Sequence, residues 1–284
     1  MRKTKIIDIE NDGMNLAVDK QYLYMRGNRS MYKYDLANMR MAAEKVVFKK
    51  DGKARGFSIF DNFVFLYDFL DLYILNKDDM KLIVSLRLGE NLSSDVCGIM
   101  WFNSPKAYVK IRNGLIYILD ISTNTFDKVQ VIDSSFWSDC VAGNRLFVGT
   151  VNGELLEIDK DSLNVIRKIQ LCKKNIYSIM HEGGLLYTTS QDQTIKVIDA
   201  NSFETLCVAK KAVTGMVDIV GIYKDSLIVA GERNPLAFWH KKTLQFHKTI
   251  DFPQNRNSVI KGNDLFGCDR KIVYKIALDK LSLS

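Results

Sequence analysis

The sequence predicts an all-β fold: a seven-bladed β-propeller built of four-stranded antiparallel blades. Three observations predict it. A strand-plus-turn unit recurs along the whole chain, its anchor positions Asp35, Asn76, Asp120, Asp159, Asp199, His240 and Ala277 lying 37 to 44 residues apart. No stretch with the helical period interrupts the series. Each unit holds short apolar strands parted by tight-turn residues. One such unit cannot bury both of its own faces, so neighbouring units must stack radially and close on themselves.

The elements follow in chain order. The stretch TKIIDIEN (4–11) is strand-like but precedes the first unit. Blade one, about 14–52, has a turn at Asp19-Lys20, the strand YLYM, the anchored segment NRSMYKYDLAN from Asn28, and KVVF. Blade two, 53–95, turns at Asp61-Asn62 and continues with FVFLY, then FLDLYILNKDD from Phe69, then LIVSLRL. Blade three, 96–135, turns at Asn103-Ser104, followed by AYVKI, NGLIYILDIST from Asn113, and KVQVI. Blade four, 136–174, turns at Gly143-Asn144, followed by RLFVGT, NGELLEIDKDS from Asn152, and VIRKIQL. Blade five, 175–215, turns at Gly183-Gly184, followed by LLYTTS, DQTIKVIDANS from Asp192, and TLCVA. Blade six, 216–256, turns at Lys224-Asp225, followed by SLIVAG, RNPLAFWHKKT from Arg233, and FHKTI. Blade seven, 257–284, turns at Asn263-Asp264 and holds LFGC and RKIVYKIALDK from Arg270.

The strands are rich in Ile, Leu, Val and Tyr, which fit a pleated, half-buried surface. The turns are rich in Asn, Asp and Gly, which tolerate left-handed backbone or bond their own main chain. Only seven residues, LDKLSLS, follow Ala277. The outer strand of blade seven is therefore expected from residues 4–11, which would pair the two chain ends and cover an exposed edge. The longest step, 44 residues between Asn76 and Asp120, leaves room for an extra loop after blade two.

Composition supports one domain over 1–284. Hydrophobic residues make up 47% and charged residues 26%, and 3 prolines with no Gly/Ser-rich run leave no linker. Cys97, Cys140, Cys172, Cys207 and Cys268 are odd in number and form no CxxC pair. They read as buried free thiols in a reducing compartment. The first residues, MRKTKIIDIENDG, do not form a signal peptide, since Asp8 and Glu10 break the apolar stretch. No apolar run has the length of a membrane span. A cytoplasmic protein, monomeric by itself, is expected. The net charge of +7 permits an acidic partner without demanding nucleic acid.

Blade five carries a resemblance to a known family. Its SQDQTIKVIDANSFETL resembles the Ser-x-Asp-x-Thr-Ile-Lys-Val-Trp-Asp run of WD repeats. Ser190, Asp192 and Asp199 match, and Ile198 stands where the family has Trp. Blade six keeps the Trp as Trp239 but has His240 at the Asp position. Asp35, Asp120 and Asp159 keep the acidic anchor elsewhere. The family's Gly-His dipeptide is missing from every blade, so its network of His, turn Asp, strand Ser/Thr and Trp is expected to be incomplete. The resemblance implies a mostly non-enzymatic scaffold that holds protein partners on a face of the ring.

No nucleophile elbow, P-loop or dinucleotide fingerprint occurs, so no cofactor is expected. The three histidines, His181, His240 and His247, form no HxH or HxxxH pair, and no metal site is assigned. Asp68 and Asp71 could face a central channel, but a turn accounts for them better. In an up-down meander the turns between the second and third strands and the blade-to-blade connections emerge on the same face. That face collects Arg29, Arg112, Arg233 and Arg270 from the turns and Lys49, Lys50, Lys53, Arg55, Lys173, Lys174 and Arg256 from the connections. Trp137, in SSFWSD, adds an apolar anchor there. The expected function is a protein-interaction scaffold presenting this basic face to an acidic partner. The competing expectation is a hydrolytic, lactonase-like propeller with a metal or small molecule in the central channel. Nucleic-acid binding is disfavoured, since the loops lack interleaved aromatics for base stacking.

Overall fold

The computed structural model describes residues 4–8, 15–27, 29–46, 55–69, 71–88, 96–212, 215–231, 235–252, 258–269 and 272–281. These form seven antiparallel sheets of four strands, here called a to d from the channel outward. Blade one is Asn15–Val18, Tyr22–Arg26, Ser30–Asp35 and Met41–Val46; blade two is Gly56–Phe60, Phe63–Tyr67, Asp71–Asn76 and Leu82–Arg87. Blade three is Val96–Asn103, Lys106–Ile111, Leu115–Asp120 and Thr125–Gln130; blade four is Phe136–Ala142, Arg145–Thr150, Glu154–Asp159 and Val165–Gln170. Blade five is Ile176–Glu182, Leu185–Ser190, Ile195–Asp199 and Thr205–Ala209; blade six is Val217–Tyr223, Ser226–Gly231, Leu236–His240 and Phe246–Ile250. Blade seven is Ser258–Lys261, Asp264–Asp269 and Ile272–Ala277, with Thr4–Asp8 as its strand d. That last strand runs antiparallel to its neighbour, Thr4 opposite Lys275 and Asp8 opposite Ile272. Every a strand touches the a strand of the next blade, and blade seven touches blade one in the same way, so the ring is closed.

The core lies between blades. Strands b and c are covered on both faces and read as unbroken apolar runs, such as Leu146, Phe147 and Val148. Phe65, Leu72 and Ile74 of blade two pack on Val96, Val109 and Leu119 of blade three, and each seam repeats the arrangement. The d strands cover the core with one face only, which leaves Leu82, Ile83, Val165, Ile166, Leu206 and Phe246 exposed on the rim.

The anchor residues explain the repeat. The side chains of Asp35, Asn76, Asp120, Asp159 and Asp199 each accept two backbone N–H bonds from the residues two and three further on, at 2.7 to 3.3 Å. This closes the turn from strand c to strand d. In blade six His240 does the same work through Nδ1, which accepts from Lys242 N at 3.4 Å and Thr243 N at 3.2 Å. Four residues after each of these anchors the chain is left-handed, with φ of 52° to 64° at Met39, Met80, Asn124, Leu163, Phe203 and Leu244. Met80, Leu163, Phe203 and Leu244 bury their side chains from that position, which offsets the backbone cost.

Two turns between strands a and b sit one residue away from the positions expected. Blade three turns on Ser104-Pro105 and blade seven on Gly262-Asn263, because strand pairing carries Asn103 and Asp264 into the ladders. In this class of turn the first residue is left-handed at Asp61, Gly143, Gly183, Lys224 and Gly262. Lys224, exposed and at φ 54°, has the side chain least suited to the conformation. Lys224→Gly should raise stability by about 1 kcal/mol, seen as a rise of a few degrees in melting temperature. A fall would show that the contact of the lysine ammonium with the Tyr223 ring, 5.2 Å from its centre, outweighs the strain.

The cysteines are all free, but only Cys172 and Cys268 are buried. Cys97, Cys140 and Cys207 are half-exposed, because a and d strands have neighbours on fewer sides than b strands do. The extra loop expected after blade two falls largely at 89–95, outside the described residues.

Cations tie blades together. Lys33, in blade one, donates to the carbonyls of Lys77 (2.9 Å) and Asp78 (3.2 Å) in the c–d turn of blade two. Arg145 and Arg167, in blade four, reach the corresponding turn of blade five, with Arg167 Nη1 donating to Asn201 O at 2.7 Å and Arg145 Nη1 to Asn201 Oδ1 at 2.8 Å. Glu157 holds both guanidinium groups from behind. Between blades three and four, buried Lys110 is ion-paired with Asp139.

Candidate functional site

A cavity of about 280 Å³ opens on the face where b–c turns and blade-to-blade connections emerge, at the inner ends of blades two to four. Arg55 enters from the connection into blade two, Tyr67 from the end of its strand b. Val96 and Cys97 come from the start of blade three, and Arg112 from its b–c turn. Phe136 and Trp137 open blade four. Antiparallel topology alone places all of these at one end of the ring.

Aromatic rings orient the charges. The Arg55 guanidinium lies 3.8 Å from the centre of the Phe69 ring, and that of Arg112 lies 5.7 Å from Trp137. Trp137 leans on Tyr177 with ring centres 6.0 Å apart, and its carbonyl accepts from Lys110 Nζ at 3.1 Å. Phe136, fully buried, is a core residue, so of the two adjacent aromatics only Trp137 is partly open to solvent. Burial pushes the Tyr67 hydroxyl up to about 12, reinforced by Cys97 and opposed by Arg26 and Arg55. Tyr67 therefore stays protonated and offers a hydrogen-bond donor at neutral pH. Gly56 makes room for it, since a Cβ there would lie 2.2 Å from the tyrosine oxygen. Below the site, burial lowers the Arg26 guanidinium to about 10, and its Nε donates to Asn15 Oδ1 at 2.8 Å.

Of the residues nominated from sequence, Arg55, Arg112 and Trp137 line this one cavity. Arg29 is exposed in the b–c turn of blade one and does not line it. Lys49, Lys50, Lys53, Arg233, Arg256 and Arg270 lie outside the described residues. Tyr67 and Cys97 escaped the sequence reading. Tyr67 ends an apolar strand and looks like core, and Cys97 looks like any buried thiol.

Other candidates resolve into structure. Asp68 Oδ1 accepts from Asp71 N at 2.8 Å, so this pair closes the b–c turn of blade two. Burial, then the neighbouring Asp68 charge, raises the Asp71 carboxyl. Burial also pushes the Cys140 thiol up to about 11. His181 stacks on Phe147, and His240 and His247 lie with ring centres 6.0 Å apart. Among the described residues, no group of three or more His, Cys, Asp or Glu is placed to hold a metal ion. Among them, too, no helix is long and apolar enough to cross a membrane. The hydrogen-bond network expected from the resemblance of blade five has no histidine here. Asp192 Oδ2 accepts instead from the backbone N–H of Lys173 at 3.0 Å, while Asp192 Oδ1 takes Thr194 Oγ1 at 2.6 Å and the Ser190 hydroxyl donates to Lys174 O.

No protein-family model matches the chain, and no curated protein does. Solved structures do. The β-propeller domain of Myceliophteria thermophila Cps50 (Swd1) is similar with a TM-score of 0.80 at 12% identity, over 97% of this chain and 99% of that one. U3-55K is similar with a TM-score of 0.78 at 10% identity, over 97% and 98%. The computationally designed Ika8 protein gives 0.73 at 12% identity, over 96% and 99%. At such identities the likeness establishes the architecture: this chain has the fold of a seven-bladed β-propeller.

Proposed function

We propose that this propeller is a non-enzymatic, cytoplasmic scaffold, monomeric by itself, whose connection face grips an acidic segment of a partner protein. The observation that carries the reading is the convergence of Arg55, Arg112 and Trp137, from three different blades, on one cavity. Guanidinium groups set over aromatic faces suit forked bonds to carboxylates, and a half-open indole beside them suits an apolar side chain of the same segment. The protonated Tyr67 hydroxyl supplies one more donor. We also read the chain as a divergent WD-repeat propeller, which the Ser190, Asp192 and Asp199 arrangement of blade five supports.

The reading predicts that Arg55→Ala/Arg112→Ala lowers affinity for an immobilised acidic peptide set at least about tenfold, or roughly 1.4 kcal/mol. The melting temperature should stay within a few degrees of wild type. Binding should weaken further with salt, since screening acts on both arginines. Equal capture by wild type and variant at low salt would remove the assignment.

A further inference from the structure

A second, larger cavity of about 720 Å³ lies at the seam between blades four and five, on the same face but toward the rim. One wall is the end of strand d of blade four with the connection that follows, contributing Leu171 and Lys173. The b–c turn of blade five and its strand c contribute Asp192 and Lys196, and the exit of strand d contributes Val208, Lys210 and Lys211. Among the described residues, four lysines thus line one concavity against a single aspartate.

That carboxylate is already committed. Asp192 accepts from Lys173 N at 3.0 Å, Thr194 N at 3.1 Å and Thr194 Oγ1 at 2.6 Å, so it serves the local backbone. Lys196 Nζ donates to the carbonyl of Leu171, which uses one of its three protons and fixes the ammonium in the wall. The walls are braced independently of any ligand, with Ala212 N bonded to Gln193 O at 3.0 Å, Gln191 N to Asn175 O at 2.9 Å and Gln170 Nε2 to Cys172 O at 2.7 Å. A rigid concavity with one sign of charge focuses its field on whatever enters.

The residue types select the ligand. Among the described residues no arginine lines the cavity, so planar, bidentate capture of a carboxylate has no donor among them. Lysines act as compact point charges and suit tetrahedral anions of higher charge. Leu171 provides apolar floor, and Val208, 40% exposed on the outer strand, leaves apolar surface bare beside the lysines. The volume lies in the range of cavities that hold small organic ligands.

We propose that this cavity binds a small organic phosphate carrying at least two phosphoryl groups, its charges among Lys173, Lys196, Lys210 and Lys211 and its apolar body against Leu171 and Val208. The site is separate from the arginine cavity and does not depend on it.

The test is calorimetric titration of the full chain, at low salt, with pyrophosphate and with a nucleoside diphosphate as probes. Both should bind saturably at one site, the nucleoside diphosphate several-fold more tightly. Lys173→Ala/Lys211→Ala, both exposed positions, should weaken both probes at least about tenfold with the melting temperature of the free protein unchanged. Val208→Ser should remove the advantage of the nucleoside diphosphate and leave pyrophosphate binding intact. Arg112→Ala should affect neither probe. Failure of both probes to saturate, or binding that survives the double lysine variant, overturns the site. Equal affinity of the two probes in wild type overturns the apolar half of the assignment.

Discussion

Replacing Gly153 by alanine is expected to cost about 3 kcal/mol of stability or more. Gly153 sits in the b–c turn of blade four at φ 81°, a left-handed conformation that by itself disfavours a side chain by about 1–2 kcal/mol. The larger part is steric. A Cβ would lie 2.2 Å from the carbonyl oxygen of Cys172 and 2.7 Å from that of Lys174, both backbone atoms. The turn cannot retreat cheaply, because Gly153 O accepts from Leu171 N at 3.0 Å and from Cys172 N at 2.9 Å. Gly114 repeats the arrangement in blade three, at φ 84°, with its Cβ position 2.1 Å from Ile132 O. In blade five the corresponding residue is Gln193, left-handed at φ 68°, whose carbonyl is bonded by Ala212 N alone. Urea denaturation of Gly153→Ala and Gly114→Ala should show midpoints well below wild type. A loss under 1 kcal/mol, close to the left-handed cost alone, would mean that the connection yields.

The second large effect is expected at Glu157. Its side chain is 7% exposed and accepts from Arg145 Nε and Arg167 Nη2, each at 2.6 Å. The two guanidinium groups then extend to blade five, and Arg167 lies 3.8 Å from the centre of the Phe203 ring. Glu157→Gln leaves two cations facing each other without their common counter-charge, at a cost of about 2–3 kcal/mol. Burial alone would raise the Glu157 carboxyl, but the hydrogen bonds and charges of Arg145 and Arg167 outweigh it and hold the group below its usual range. The sign follows from that depression. The contribution is complete above the unfolded value of about 4.3 and is lost as pH falls through the lower folded value. The gap between wild type and Glu157→Gln should therefore be full at neutral pH and shrink in strong acid. A gap independent of pH would mean that shape, not charge, makes the residue necessary.

The architecture was legible because its signals are local. Asp35, Asn76, Asp120, Asp159 and Asp199 close their turns with bonds to amides two and three residues away, so the spacing of turns survives where strands diverge. His240 was harder to read, since an imidazole acceptor replaces the carboxylate in the same geometry. The candidate site was legible only in pieces. Charge on the connection face follows from the meander, and Arg55, Arg112 and Trp137 were nominated on that ground. Their convergence with Tyr67 and Cys97 depends on how blades two, three and four are angled around the ring, which no local pattern encodes. The blade-bridging cations Lys33, Lys110, Arg145 and Arg167 were illegible for the same reason. In sequence each is one polar residue in a strand, and its partners are 10 to 56 positions away.

The pairing of Thr4–Asp8 with Ile272–Lys275 sets a condition on how the ring is assembled. On a ribosome the latch strand is made before blades one to six, yet the strand it must pair with emerges after them. Blades one to six are built from neighbouring segments and can form as they are synthesised, whereas the closing sheet joins the most distant segments of the described residues. Until it forms, the strand edge of Ile272–Ala277 stays open to other chains. Crowding and chain concentration should therefore act on the yield of closed rings more than on the stability of rings already shut.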